Sequence, residues 1–189
     1  MLHDLEGIED VEGDCAAVLD SCERFVADYH HLDPVLDRSP PQLVPADTPH
    51  GRNAVITPPQ TKELVAAFKE RGFMQMDELG LPFAVQCCAA FTLCSAFSSN
   101  PLGVFTLTRC AADLLEAHGS DALKDVYLQK LRTAEWTGTM ALSEPQAGSS
   151  LSTIRTTATP YIEEDAQPGE FRIRGDKMWT SAAFHDLAG

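Results

Sequence analysis

Two stretches near the end of the chain decide the fold: TGTMALSEPQAGSSLSTIRTTA (137–158) and FRIRGDKMWTSAAFHD (171–186). In the first stretch, a β-prone run leads Ser143 into a tight turn set by Glu144-Pro145. The step Gly148-Ser149-Ser150 comes next and offers backbone N–H groups and hydroxyls. A turn of this composition can hold an anion or the polar edge of a planar ring.

The second stretch carries an aromatic side chain and a hydroxyl at alternate positions. Two-residue periodicity predicts that Trp179 and Ser181 lie on one face of a strand, where both can contact a flat heterocycle. A hairpin loop with a core tryptophan would explain the same residues without any ligand. From the chemistry of the residues alone, we favour that simpler interpretation over a binding site.

The chain as a whole divides into two parts with different periodicity. Before residue 133, apolar residues recur at three- and four-residue steps, which predicts helices. From Trp136 onward, short β-prone runs alternate with turn-forming residues. The predicted fold class is therefore α+β by segregation, with an N-terminal all-α helical domain (1–132) and the first strands of a β-barrel-like domain (133–189). Within the helical domain, residues 32–57 are rich in Pro, Asp and Arg and predict irregular chain.

Helices are predicted over about 10–31, 58–72, 82–98 and 101–119, and over a segment capped by Ser120. Thr57 is expected to cap the second of these helices, and Gly72 is placed to end it.

Four β-prone runs are predicted as strands: WTGTMAL (136–142), TIRTTAT (153–159), EFRIRG (170–175) and KMWTSA (177–182). In the third run, apolar residues alternate with arginines, so one face of this strand is expected to be buried. Four strands cannot close a barrel, and the last one would leave an open sheet edge. We therefore expect the chain to be a truncated piece of a longer protein.

The charge of the chain argues against two classes of partner. The sequence holds 28 acidic and 14 basic residues, a formal net charge of −14. Residues 1–50 alone carry 12 acids and 2 bases, which predicts a solvated helix face and loop rather than a docking tail. A nucleic-acid binder needs a basic face, and an anionic membrane surface attracts basic segments. We therefore expect neither nucleic acid nor membrane as a partner.

The cysteines and the N-terminus indicate the compartment. The first ten residues lack the basic and apolar regions of a signal peptide. The 6 cysteines form no CxxC pair, and the 6 histidines have no metal-ligand spacing. We expect a cytoplasmic protein without a metal site.

One uncharged run, from Leu79 to Thr108, is long enough to span a bilayer, but Gly and Pro interrupt it. Its apolar part, 83–97, predicts a buried core helix instead, in which the small apolar cysteines Cys87, Cys88 and Cys94 belong to the core.

The two stretches quoted first resemble the middle β-domain of the acyl-CoA dehydrogenases. The turn of that family is roughly [TS]-E-P-x-A-G-S-[DS], which Ser143-Glu144-Pro145-Gln146-Ala147-Gly148-Ser149-Ser150 matches. A second family motif, G-x-K-x-[WF]-[IT]-[ST], is matched by Gly175-Asp176-Lys177-Met178-Trp179-Thr180-Ser181. The resemblance extends from about residue 55 to the end. The final AAFHD is similar to a motif of the larger members of the family.

The resemblance implies FAD as the cofactor and a role for each matching residue. Ser143 would donate to the pyrimidine side of the flavin, along which the backbone of Met140 and Leu142 would lie. Trp179 would cover the flavin ring and Ser181 would bond its N5/O4 side. Two further residues, Gly148 and Ser149, would lie near the FAD pyrophosphate, with Ser149 also near the substrate.

The implied reaction is FAD-dependent oxidation of an acyl-CoA thioester to the α,β-unsaturated acyl-CoA, an oxidoreductase of fatty acid metabolism. In this family, the base is a glutamate of a C-terminal helical domain, so we assign no catalytic residue here and expect this chain alone to be inactive. The resemblance also implies an electron-transfer flavoprotein as acceptor and a homo-oligomer at full length. A non-catalytic partner subunit or an inactive remnant of the same fold remains the alternative.

Overall fold

The computed structural model describes residues 8–45, 53–97, 102–163 and 169–187. Its α-helices are α1 (Ile8–Tyr29), α2 (Asp33–Arg38), α3 (Pro59–Glu70), α4 (Phe83–Ser95), α5 (Gly103–His118) and α6 (Asp121–Arg132). Its strands are β1 (Gln42–Val44), β2 (Ala54–Ile56), β3 (Thr157–Pro160) and β4 (Phe171–Arg174). Short 3-10 helices span His30–Leu32, Phe73–Leu79 and Leu151–Thr153. Helices dominate the first part and β3 and β4 come last, which confirms the predicted fold class.

Contacts group the residues into two compact units. The helical unit holds residues up to Gly138 together with those from Phe184 onward, and the β unit holds Thr139–Ala183. The chain therefore leaves the helical unit, forms the β unit and returns. The domain boundary near residue 133 stays a prediction, because a grouping by contacts does not test which part folds by itself.

Phenylalanines form the centre of the helical unit. Phe25 of α1 is fully buried, and its ring lies 5.9 Å from Phe68 of α3, 5.4 Å from Phe73 and 6.2 Å from Phe97. Phe68 also stacks on Phe105 of α5 at 4.5 Å. Tilted and edge-on aromatic pairs at these separations add to the gain from burial. The cluster thus joins α1, α3, α5 and the residues that follow α4.

The predicted helix ends are confirmed in two places and wrong in a third. Gly72 follows α3 with a φ of 70°, a left-handed conformation that favours glycine. Ser120 caps α6 by accepting a hydrogen bond from the Leu123 amide at 3.4 Å. Thr57 does not cap α3, because Pro58 occupies the capping position and no side chain bonds there.

The Thr57 side chain binds the end of the chain instead. Its hydroxyl and its amide both donate to Oδ1 of Asp186, the amide at 2.9 Å. Lys62 of α3 pairs with Oδ2 of the same carboxylate at 2.5 Å. One residue earlier, His185 Nε2 lies 3.3 Å from the Thr137 hydroxyl. These contacts, which we call the Asp186 clasp, fasten residues 185–186 to the helical unit.

The helix α4 differs from the predicted core helix. Only Ala89 and Leu93 of α4 are buried, whereas Phe83 is 79 % and Phe91 74 % exposed. Cys87, Cys88 and Cys94 are exposed, so the prediction that they belong to the core is wrong. The apolar residues of α4 cover its whole circumference, and only the side that meets its neighbours in the helical unit becomes buried.

The segment 32–57 is more regular than predicted. Pro34 stands in the first turn of α2, where a missing N–H costs nothing, and Leu36 of α2 is buried. The strands β1 and β2 pair antiparallel, with Leu43 opposite Val55. The loop between them lies outside the described residues, as does Pro101, which we expected to open α5.

The β unit contains half of the predicted strands. β3 and β4 pair antiparallel, with Ala158 opposite Ile173. Both faces of β4 are exposed, so the predicted buried face is wrong. Residues 136–142 and 177–182 are not strands, because a strand needs a hydrogen-bonded ladder and these segments lack one. In the second of these segments, the Met178 amide donates to the Ser143 carbonyl at 3.0 Å.

None of the described helices combines the length and the apolar character that a membrane crossing requires. Among the described residues, no group of three or more His, Cys, Asp or Glu side chains could hold a metal ion.

The Asp186 clasp predicts a pH-dependent contribution to stability. The hydrogen bonds from Lys62 and Thr57 lower the pKa of Asp186 below its usual value. A lowered pKa means that the contribution is complete above about pH 4 and is lost as the pH falls further. We expect Asp186→Asn to lower the free energy of unfolding by roughly 1 kcal/mol at pH 7. Below about pH 4 that difference should shrink.

Urea unfolding across this pH range measures the effect. Asp20→Asn is the control, because Asp20 pairs only with exposed Arg24 and should change stability by less than about 0.5 kcal/mol. A difference between wild type and Asp186→Asn that stays constant with pH would contradict the clasp.

Candidate functional site

The turn that follows Ser143 is closed by two backbone hydrogen bonds. The Glu144 amide donates to the Ala147 carbonyl at 2.8 Å, and the Ala147 amide returns a bond to the Glu144 carbonyl at 3.0 Å. Pro145 and Gln146 are the central residues, and proline suits the first of these positions. The side chain of Ala147 is buried, so the residues on either side of the turn, Ser143 and Gly148, lie next to a fixed corner of the chain.

The side chain of Glu144 lies inside this corner. The residue is 4 % exposed, and its carboxylate binds through both oxygens. Oε2 accepts from the Arg155 amide at 2.8 Å and from Gln146 Nε2 at 2.6 Å. Oε1 accepts from the Thr156 amide at 3.0 Å and from the Thr156 hydroxyl. These bonds hold the pKa of Glu144 far below its usual value, with the Thr156 hydroxyl as the largest cause. The carboxylate therefore stays charged near neutral pH and is a weak base.

Lys177 brings the second motif to the first. Its ammonium group donates to Glu144 Oε1 and to the Leu142 carbonyl, each at 2.9 Å. The next residue, Met178, donates its amide to the Ser143 carbonyl. The structure thus brings Leu142 and Ser143 beside the segment that leads to Trp179.

The other predicted site residues also belong to the β unit. Thr139 donates its hydroxyl to the Ser181 carbonyl, which places Ser181 beside the residue that precedes Met140. Met140 and Leu142 are each 46 % exposed. Gly148 and Ser149 follow the turn and are exposed, and a Cβ at Gly148 would meet nothing within 4 Å.

The polar groups of these residues are available to a ligand. Within the described part of the chain, the hydroxyls of Ser143, Ser149 and Ser181 and the indole N–H of Trp179 make no hydrogen bond. The Trp179 side chain is 83 % exposed. That exposure overturns the simpler interpretation of Trp179 as a core residue. The predicted site residues thus offer uncharged donors and an exposed aromatic ring.

Trp179 also has an unusual backbone. Its φ is 59°, and that of Ala182 is 51°, both in the left-handed region that favours glycine. Because of this conformation, Trp179 and Ser181 do not lie on one strand face, and the two-residue periodicity predicted for them is wrong. A non-glycine residue in this region costs about 1 kcal/mol or more. Such residues concentrate at ligand-binding and active sites.

The sequence places Glu144 in the turn and Gly175 and Lys177 in the second motif, but the sequence analysis gives none of the three a role in binding or positioning. The signals were present: a glutamate next to proline inside a turn, and a lysine two residues after a glycine. Gly175 is required where it stands, because a Cβ there would lie 2.1 Å from the Thr156 hydroxyl. A side chain at position 175 would therefore displace one of the donors to Glu144.

The chain is similar to known proteins in sequence and in fold. The chain is 38 % identical over 143 residues to the 3-methylmercaptopropionyl-CoA dehydrogenase of Ruegeria pomeroyi. That alignment covers 71 % of the chain and 23 % of the relative. Among solved structures, a glutaryl-coenzyme A dehydrogenase with glutaryl-CoA superimposes with a TM-score of 0.60 at 18 % identity, over 95 % of this chain and 40 % of the other.

The chain belongs to the acyl-CoA dehydrogenase family.

A second solved structure, the FAD complex of an acyl-CoA dehydrogenase from Bacillus anthracis, has the same fold. Its TM-score is 0.56 at 18 % identity, and the match covers 98 % of this chain and 28 % of that one. No protein-family model matches the sequence. The chain thus spans less than half the length of the relatives and structures named here.

The backbone of Trp179 predicts an unusual response to mutation. Because the indole is exposed and φ is positive, Trp179→Gly removes strain and little buried surface. We expect the free energy of unfolding to stay constant or to rise by up to about 1 kcal/mol. The comparison is the second tryptophan, Trp136, whose ring packs against Tyr127 and Lys130. There, Trp136→Gly should lower the free energy of unfolding by roughly 2 kcal/mol.

Urea unfolding of both variants makes the comparison. A loss of more than about 1 kcal/mol on Trp179→Gly would contradict the assigned strain.

Proposed function

We propose that this chain is the N-terminal part of an FAD-dependent acyl-CoA dehydrogenase, which oxidises an acyl-CoA thioester to the α,β-unsaturated acyl-CoA. The observation that carries the proposal is the pair of motifs held together at Glu144 and Lys177, which include unpaired donors and an exposed indole. The identity to 3-methylmercaptopropionyl-CoA dehydrogenase and the fold of the FAD complex support the same conclusion.

The donor set fits FAD in its chemistry. The Ser143 hydroxyl and the backbone of Met140 and Leu142 would hold the pyrimidine side of the flavin, where uncharged donors stabilise the negative charge of the reduced ring. Trp179 and Ser181 would bind its ring system. When bound, FAD would accept the hydride from the β-carbon of the substrate.

The remaining part of the proposed site would bind the pyrophosphate of FAD and the substrate. Gly148 and Ser149 lie beyond the turn, with no side chain at Gly148 to block the approach of a phosphate. Their amides and the Ser149 hydroxyl would bind the FAD pyrophosphate, and Ser149 would also bind the substrate. The residues of the proposed site position and shield their ligands, and none of them is proposed as the base.

The proton from the α-carbon would go to a carboxylate that the family resemblance places in a C-terminal helical domain. Glu144 cannot take that role, because both of its oxygens are bonded and its pKa is lowered. We therefore propose that a further domain supplies the base and that this chain alone is inactive. A homo-oligomer, an electron-transfer flavoprotein as acceptor, a role in fatty acid metabolism and a cytoplasmic location complete the proposal, supported by the family resemblance and, for the location, by the spacing of the cysteines.

The test uses the polypeptide that contains this sequence at its natural length. It should purify with FAD bound, and anaerobic addition of an acyl-CoA should bleach the visible flavin band. Ser143→Ala should slow the bleaching on the order of 100-fold, because one donor to the reduced ring is lost. Ser152→Ala is the matched control, since Ser152 is exposed and lies outside the proposed site.

The outcome also separates the alternatives. Bound FAD without bleaching by any acyl-CoA would favour a non-catalytic partner subunit. Failure to bind FAD would overturn the proposal and favour an inactive remnant. Residues 1–189 expressed alone should bind FAD weakly or not at all, which fluorescence titration of FAD measures, and a stable yellow monomer of this length would contradict that expectation.

A further inference from the structure

We infer that Glu144 and Lys177 act as a pair of positioning residues, which hold the Leu142–Ser143 and Met178–Trp179 segments in the arrangement that the cofactor requires. The inference deepens the proposed function and rests on it for the identity of the ligand. Neither residue is assigned a contact with FAD or substrate, so neither is a catalytic residue. Their role is to fix two neighbouring segments that carry the proposed contacts.

The first argument is that the Glu144 carboxylate joins three parts of the chain. It binds Gln146 in its own turn, the amides of Arg155 and Thr156 before β3, and the ammonium group of Lys177. Its side chain is 2 % exposed, and that of Lys177 is 25 % exposed. A buried carboxylate with this many donors has a single well-defined position, which a solvated ion pair does not.

The second argument is that Lys177 carries this position to the backbone of the first motif. One ammonium group binds both the Glu144 carboxylate and the Leu142 carbonyl. The adjacent Met178 amide then reaches the Ser143 carbonyl at 3.0 Å. Loss of the ammonium group would release the Leu142 carbonyl and leave the carboxylate without its counter-ion, two defects at one site.

The third argument is that the described part of the β unit offers little else that could hold the two segments in position. The residues of β3 and β4 are exposed on both faces. Within Thr139–Ala183, the buried residues among those described are Glu144 and Ala147. An apolar core that could orient the two segments is therefore absent from the described part of this unit, and the ionic pair takes its place.

The first readout of the test does not depend on FAD. Hydrogen exchange of the ¹⁵N-labelled protein reports the Met178, Arg155 and Thr156 amides, which the pair keeps hydrogen-bonded. Glu144→Gln should speed exchange at these amides by about tenfold or more, since hydrogen bonds to a charged group are lost. Glu163→Gln is the matched control, because Glu163 pairs with exposed Arg172 in the same unit, and it should leave the three amides unchanged.

The second readout is the bound flavin in the natural-length polypeptide. Glu144→Gln should weaken FAD binding by about tenfold or more and alter the visible circular dichroism of the flavin at saturating FAD. A residue that only stabilises the fold would lower FAD occupancy and leave that signal unchanged. Lys177→Met and the double variant Glu144→Gln/Lys177→Met complete a double-mutant cycle. Because the two residues act as a pair, the double variant should weaken FAD binding by less than the product of the two single effects.

Each outcome decides one of the two proposals. The pairing is overturned if Glu144→Gln leaves both the exchange rates and the flavin signal like those of Glu163→Gln. It is also overturned if the loss of FAD affinity in the double variant equals the product of the losses in the two single variants. If the wild-type protein binds no FAD, the proposed function fails, and the exchange rates still decide whether the pair holds the two segments together.

Discussion

The carboxylate of Glu144 is the interaction on which the β unit depends. It is the only charged residue that is buried in the described part of the chain. A buried charge is costly unless hydrogen bonds and a counter-ion compensate for it, and here amides, a hydroxyl and Lys177 all do so. An ionic centre of this kind gives a defined geometry more than it gives stability, because hydrophobic residues of similar volume would hold a fold at least as well. That property suits a surface whose groups must meet a ligand at set positions.

The helical unit is built on the opposite principle. Its centre is the cluster of aromatic rings around Phe25, which gains from apolar burial and edge-on contacts. Such a core tolerates changes of shape better than a charged centre tolerates the loss of one bond. Burial of apolar side chains is incomplete at helix α4, since Phe83 and Phe91 remain exposed although the helix is apolar on every side.

The sequence predicts the segregated fold and the two motifs because these rest on local patterns. Helix periodicity, the caps at Gly72 and Ser120, and the E-P-x-A-G turn are all readable within a few residues. The burial of α4 cannot be predicted from a few residues, because a helix that is apolar on all sides carries no signal for the face that becomes covered. The same holds for residues 136–142 and 177–182, whose β-prone composition predicts strands although they form no ladder in the described part of the chain. The position of the Trp179 ring depends on a positive φ that no tryptophan pattern predicts.

The Asp186 clasp has a consequence for the entropy of the β unit. The chain leaves the helical unit after Gly138 and is fastened to it again at residues 185–186, so residues 139–183 form a closed loop. An unfolded segment with two tethered ends has fewer conformations than one with a free end, and this difference grows only slowly with loop length. The clasp therefore acts as a noncovalent cross-link, which lowers the entropy that a unit with so little apolar core must overcome to become ordered.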